Sequence, residues 1–185
     1  MPIALFTSEN DIKKNTVIDD NVDVRLLQPT IWMAQERHIQ EIVGSNLYNK
    51  LQSDIVASSL TGDYLTLVDD YLVPALRWWV MFEADITLLY KYRNKNVATK
   101  NSENSNPVDF TQHKYLRDHN KDQAEWWSQR AIDWLCDNQE LFPEYTDINF
   151  PDISPRNTKY SSTMFLGVGK TKSIKQILGD NCENC

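Results

Sequence analysis

Gly167-Val168-Gly169-Lys170-Thr171 is the stretch whose residue types come nearest to chemistry. A phosphate-binding loop uses glycines so that backbone N–H groups can close on phosphate, a lysine to reach it, and a hydroxyl to hold magnesium. The full pattern requires glycine at position 164, where this chain has Met164. It also requires a strand before and a helix after, inside an α/β sheet. Only 14 residues follow Thr171, and no alternating strand–helix pattern precedes it. The stretch therefore reads as a basic arm, not a nucleotide site.

Cys182 and Cys185 form a CxxC pair near the end of the chain. Zinc needs four ligands, and a dithiol redox centre needs a thioredoxin-like setting. Cys136 stands alone, and His38, His113 and His119 have no ligand spacing to the pair. Two thiols on a tail is the simpler reading, and a site shared between subunits is the other. Asp19-Asp20 and Asp69-Asp70 are sequence neighbours whose side chains diverge on a helix, so they do not make an acid–base pair. The chain contains no GxSxG, HExxH or Cys–His signature. No catalytic residue, cofactor or metal is expected.

The tryptophans carry more information. Trp78-Trp79 and Trp126-Trp127 are adjacent pairs, and neighbouring helix residues point about 100° apart. One member of each pair is expected in the core and the other at its edge. Trp78 and Trp126 are the candidates for interface anchors, since tryptophan is enriched at binding hot spots.

Helices must position these residues. Leu27, Ile31, Ala34 and Ile42, flanked by Ile39, predict a helix within 20–43. Pro29 belongs in its first turn or at a kink. Gly44 ends it and Ser45 caps the next, about 46–57, with Leu47, Leu51 and Ile55 buried. A helix from Thr61-Gly62-Asp63 reaches about Leu72. Pro74 then fits the first turn of a longer helix ending near Asn94. Its seam is Leu72, Ala75, Trp79, Phe82, Ile86 and Leu89, with a second stripe of Trp78, Met81, Leu88 and Tyr92. Residues 94–108 read as a loop. A last helix, about 109–138, turns Leu116, Ala124, Trp127, Ala131, Trp134 and Leu135 inward. The expected fold is all-α: a helical bundle of four to five helices with an extended C-terminal arm. Residues 1–145 form the helical domain, with a lead-in over 1–19 and a short helix after Thr7 or Ser8. Residues 146–185 form the arm.

Charge is uneven along the chain. The net charge is −7, yet Arg156, Lys159, Lys170, Lys172 and Lys175 form a stretch with no acidic residue. The rest of the chain carries −12. An acidic body lacks the positive footprint that phosphates need. The arm, with Tyr160 and Phe165 among its lysines, suits an acidic neighbour. Trp78, Trp126, Arg156, Lys159, Tyr160, Phe165, Lys170, Lys172 and Lys175 are the candidate interface residues. The stretch 71–89 is broken by Arg77, Glu83 and Asp85, so no membrane span is expected. The N-terminus has no basic region before its short apolar run, so no signal peptide is expected. Three cysteines suit a reducing compartment.

Several segments together resemble a known family. They are Pro29-Thr-Ile-Trp-Met-Ala-Gln35, Ile42-Val-Gly-Ser-Asn-Leu-Tyr-Asn-Lys-Leu51, Val73-Pro-Ala-Leu76, the stretch Asn94 to Ser105, and Leu141-Phe-Pro-Glu-Tyr145. Their arrangement, over about 20–145, resembles head–tail connector (adaptor) proteins of tailed bacteriophages, particularly those of crAss-like phages. The resemblance implies a virion protein of the head–tail junction, assembled in the host cytoplasm. Such proteins form a ring, dodecameric in that family, below the portal protein. The ring extends the DNA channel without specific DNA binding and docks later tail components. It implies no catalytic residue. The alternatives are an all-helical transcriptional regulator or another helical binding module. The first long helix carries Arg25 and Arg37 against Asp23, Glu36 and Glu41, a poor match to a basic recognition helix.

Overall fold

Ser8 starts the first helix of the computed structural model. The model describes residues 4–92, 97–99, 109–147, 149 and 152–157, with 90–92, 97–99 and 110 by backbone alone. The Ser8 hydroxyl accepts from the Asp11 N–H and opens α1 (Glu9–Asn15), which buries Ile12 completely. Asp23 caps α2 (Val24–Ala34) in the same manner, accepting from the Arg25 N–H at 2.9 Å. Pro29 is not in the first turn of α2 but at its sixth position, exposed. Proline offers no N–H to the Arg25 carbonyl. The next residue, Thr30, turns its hydroxyl back onto the Leu26 carbonyl at 2.7 Å.

A π turn (Gln35–Ile39) carries α2 into α3 (Gln40–Val56). Gly44 interrupts α3 with φ 75° and ψ 160°, so the break expected at this glycine is present. The Ser45 hydroxyl, expected as a cap, is engaged elsewhere. It accepts from the Ile153 N–H at 2.9 Å and from Gln40 Nε2 at 3.0 Å. The stripe Leu27, Ile31, Ala34, Ile39, Ile42, Leu47 and Leu51 is buried as its spacing requires, and Ile55 packs against it.

α4 (Gly62–Thr66) runs through a second π turn (Leu67–Leu72) into α5 (Val73–Leu89). The break that the sequence places before Pro74 is therefore a widened turn. A π turn absorbs the loss of a donor where an α-helical ladder would be interrupted. α5 stops at Leu89, short of the expected Asn94. The backbone of β1 (Tyr90–Tyr92) pairs antiparallel with β2 (Val97–Thr99), Lys91 opposite Ala98. Tyrosine, valine and threonine favour extended backbone, which explains the early stop and the strand inside the expected loop. The remainder of 94–108 lies outside the described residues.

α6 (Phe110–Asp137) follows Asp109 and matches the expected last helix. A 3-10 turn (Gln139–Leu141) and a short α7 (Pro143–Thr146) close the body, where the sequence shows no helical period. The fold is an all-α bundle. Each π turn joins two α segments, so the helical bodies number five among the described residues.

The core lies where α5 meets α6 and α2. Leu72, Ala75 and Trp79 are buried as the seam predicts, but Phe82 and Leu89 are half-buried and Ile86 is 43% exposed. Buried positions move instead to Leu76, Val80 and Ala84. The last buried residue of α5 is Ala84, so Ile86 and Leu89 fall on the end of the helix that extends past the core. On α6, Ala124, Ala131 and Leu135 are fully buried. Leu116 is 48% exposed, contrary to its expected inward place. It lies two turns before Ala124, on the part of α6 beside the less buried end of α5.

Candidate interaction surfaces

Two grooves share α5 and α6, and they divide the tryptophan pairs between them. Trp79 and Trp126 line a groove of about 670 Å³ with Glu41, Asp122, Glu125 and Ile132. Trp78 and Trp127 line another of about 680 Å³ with Val17, Met81 and Leu116. The 100° step between adjacent helix residues produces this division.

Trp79 is anchored from two directions. Its indole Nε1–H donates to Ser128 Oγ at 2.8 Å, and Ser128 donates on to the Ala124 carbonyl at 2.7 Å. Its ring stacks on His38 with centroids 3.7 Å apart and planes 5° from parallel. His38 Nε2–H donates to Glu83 Oε1 at 2.9 Å, and Arg37 reaches the same oxygen at 3.2 Å. Glu83 is buried, so these two partners compensate a carboxylate taken from water. Burial pushes His38 below its ordinary pKa, against the opposing pull of Glu83.

Trp126 is 57% exposed. Trp127 is half-buried and meets it edge-on at 5.0 Å. The Arg130 guanidinium lies 4.9 Å from the Trp127 ring and 5.3 Å from Tyr71. Trp78 is half-buried against His119, edge to face. Beside it, Arg77 grips the Asp11 carboxylate with two bonds of 2.9 and 2.7 Å. That grip holds Asp11 below the usual carboxylate range despite partial burial.

The candidate interface residue Arg156 lies on the lip of the Trp79–Trp126 groove and is held by its own chain. Its backbone N–H donates to the Glu41 carbonyl at 3.2 Å, and its guanidinium pairs with the Glu41 carboxylate. Ser45 N–H donates to the Ile153 carbonyl at 2.9 Å, and Asn46 donates to the Asn149 carbonyl at 2.8 Å. The Tyr145 hydroxyl donates to the Arg156 carbonyl, and burial raises that phenol's pKa. Asn149 and residues 152–157, expected in the arm, thus dock on the body. Lys159, Tyr160, Phe165, Lys170, Lys172 and Lys175, and the CxxC pair, lie outside the described residues.

Three features had little or no signal in the sequence. Gln35 is fully buried, yet its amide accepts from the Phe6 N–H and donates to the Ala4 carbonyl and the Tyr48 hydroxyl, all within 2.8–2.9 Å. The His38–Trp79 stack joins residues far apart in the chain. The docking of Ile153–Arg156 on Gly44 is the third, although a glycine followed by serine at the helix break was a partial clue. No cluster of three or more potential metal ligands occurs among the described residues. No helix among them is long and apolar enough to cross a membrane.

A model of a family of unknown function, DUF6712, matches residues 39–153, more than half of the chain. The chain belongs to this family. The match begins at the end of the first π turn and ends at the residue bonded to Ser45, so the family region contains both grooves' α5 and α6 walls and the docked segment up to Ile153. No curated protein and no solved structure matches the chain.

Proposed function

We propose that this chain is a virion structural protein, a subunit of the head-to-tail connector of a tailed bacteriophage. In this reading copies form a ring below the portal protein, extend the DNA channel and dock tail components. The ring needs no catalysis from its subunits. The observation that carries the reading is the pair of unlike grooves on α5 and α6. A two-fold dimer uses one self-complementary patch, whereas a ring needs two different surfaces on each copy. One groove is acidic and floored by Trp79 and Trp126; the other is apolar, with Val17 87% exposed and Trp78 on its wall.

The resembling segments add support. Pro29–Gln35 makes the second half of α2 and enters the π turn, Ile42–Leu51 spans the Gly44 break, and Val73–Leu76 opens α5. Leu141–Tyr145 forms the closing turn and α7, which packs on α3. These four segments share one continuous part of the bundle, and the fifth, Asn94 to Ser105, lies outside the described residues except for Val97–Thr99. The net negative charge suits a channel wall along which DNA slides without binding.

Native mass spectrometry and electron microscopy of the purified chain, alone and mixed with a portal protein, test the reading. A closed ring that caps the portal is expected. A chain that stays monomeric alone and ignores the portal overturns it. A DNA mobility-shift assay tests the regulator alternative, and sequence-specific retention would favour that alternative.

A further inference from the structure

We propose that the groove of Trp79 and Trp126 receives the lysine-rich stretch Lys159–Lys175 of a second copy of this chain. The inference rests on the assembly reading above and names one contact within it. Three carboxylates, Glu41, Asp122 and Glu125, line the groove against the single guanidinium of Arg156. The stretch 159–175 carries Lys159, Lys170, Lys172 and Lys175 and no acidic residue. Glu125 is shared with Lys121 at 3.3 Å, but both side chains are about half exposed. Such a pair is worth little and is easily exchanged for another.

Shape and polarity fit as well. Trp126 offers an exposed ring face to a lysine or to an apolar side chain, and Ile132 supplies apolar wall. The stretch contains Tyr160, Phe165 and Leu166 between its basic ends. One end of the groove already shows the mode of recognition. Arg156 binds there through its backbone N–H and its guanidinium, both to Glu41.

The assembly reading makes the occupant the stretch of a second copy. Past Arg156 the backbone reaches Cys136, whose thiol donates to the Asn157 carbonyl at 3.6 Å. Cys136 lies ten residues beyond Trp126 on α6, about 15 Å at the helical rise. Asn157 therefore lies beside α6 well away from Asp122, Glu125 and Trp126. A groove on one copy filled by a segment of the next is a head-to-tail contact, which closes into a ring when the rotation allows.

Sedimentation velocity of the full-length chain over a range of concentrations tests the contact. Two charge-reversed forms are compared, Asp122→Lys/Glu125→Lys and Lys170→Glu/Lys172→Glu. The wild type associates, and each reversed form associates about tenfold more weakly or worse. An equimolar mixture of the two regains association, because reversed groove meets reversed stretch. Circular dichroism checks that each form folds, and Trp126→Ala, which alters no charge, weakens association by a separate route. A monomeric wild type, reversed forms that associate normally, or a mixture that fails to recover overturns the contact. So does protection of 159–175 in hydrogen exchange that is independent of concentration, since the groove would then hold the chain's own stretch. Closed rings that survive both reversals overturn the contact and leave the connector reading standing. Open filaments that both reversals dissolve keep the contact and overturn the connector reading.

Discussion

Pro155 occupies the space that a side chain on Gly44 would need. A Cβ built on Gly44 lies 2.7 Å from Pro155 Cδ and 2.8 Å from its nitrogen. Gly44 also holds φ 75° and ψ 160°, a conformation open almost only to glycine. Gly44→Ala is therefore expected to cost about 3 kcal/mol or more, from backbone strain and from the clash. Adding Pro155→Ala should return only the share owed to Pro155 Cδ, because the backbone nitrogen at 2.8 Å and Cβ at 3.0 Å remain along with the strain. Urea melts of the two single variants and the double variant separate these contributions.

Trp79→Ala should cost about 3–5 kcal/mol, the usual loss for a buried aromatic side chain. It removes the stack on His38, the bond to Ser128 and core volume together. Trp78→Ala should be clearly milder, because Trp78 stands half-buried on a groove wall. Ser128→Ala isolates the polar part: it leaves the indole N–H without its acceptor and should cost about 1–3 kcal/mol. Equal losses for the two tryptophans in urea melts would show that both are core residues.

His38 should make the protein less stable in mild acid. Burial lowers its folded pKa from 6.5, while the unfolded chain retains that ordinary value. Below pH 6.5 the unfolded state therefore binds more protons, and stability falls as pH falls until the folded pKa is passed. Above pH 6.5 this contribution is fully present. Thermal melts from pH 7.5 to 5 should show the fall, and His38→Gln should flatten it in that window.

Gln35→Leu should free the N-terminal lead-in. The substitution keeps approximate volume but removes the acceptor of the Phe6 N–H and the donor to the Ala4 carbonyl. Each polar group left unpaired in a buried setting costs about 1–3 kcal/mol. Hydrogen exchange at Phe6 should accelerate strongly, while amides in the middle of α6 should change only with global stability. An unchanged rate at Phe6 would mean that apolar packing of Ala4 and Phe6 holds the lead-in without the amide.

Periodicity made α6 readable almost to the residue, because Asp109 precedes it and a polar stretch bounds it. The buried stripe from Leu27 to Leu51 was equally plain. The two π turns were not, since a widened turn keeps helical composition and only shifts the face it presents. The early end of α5 depended on strand pairing with Val97–Thr99, a contact between segments that no local pattern shows. The division of the tryptophans was legible as geometry: adjacent positions must diverge. Their grooves were not, because Glu41 and Asp122 come together only after α3 has packed near α6. Trp78 and Trp126 do line grooves, whereas Arg156 turned out to be held by Glu41 of its own chain.

The antiparallel run of Ile153–Arg156 along Glu41–Ser45 also fixes a path for mechanical load. A pull on the chain beyond Asn157 is taken first by Asn157 on Cys136 of α6, next by Arg156 on Glu41 and Tyr145, and then by Ile153 on Ser45. Tension therefore enters the bundle at two places together, the C-terminal end of α6 and the Gly44 junction of α3. That junction is backed by α2 and the lead-in clamped by Gln35. Force applied beyond Asn157 is thus shared between α6 and α3, so neither helix carries it alone.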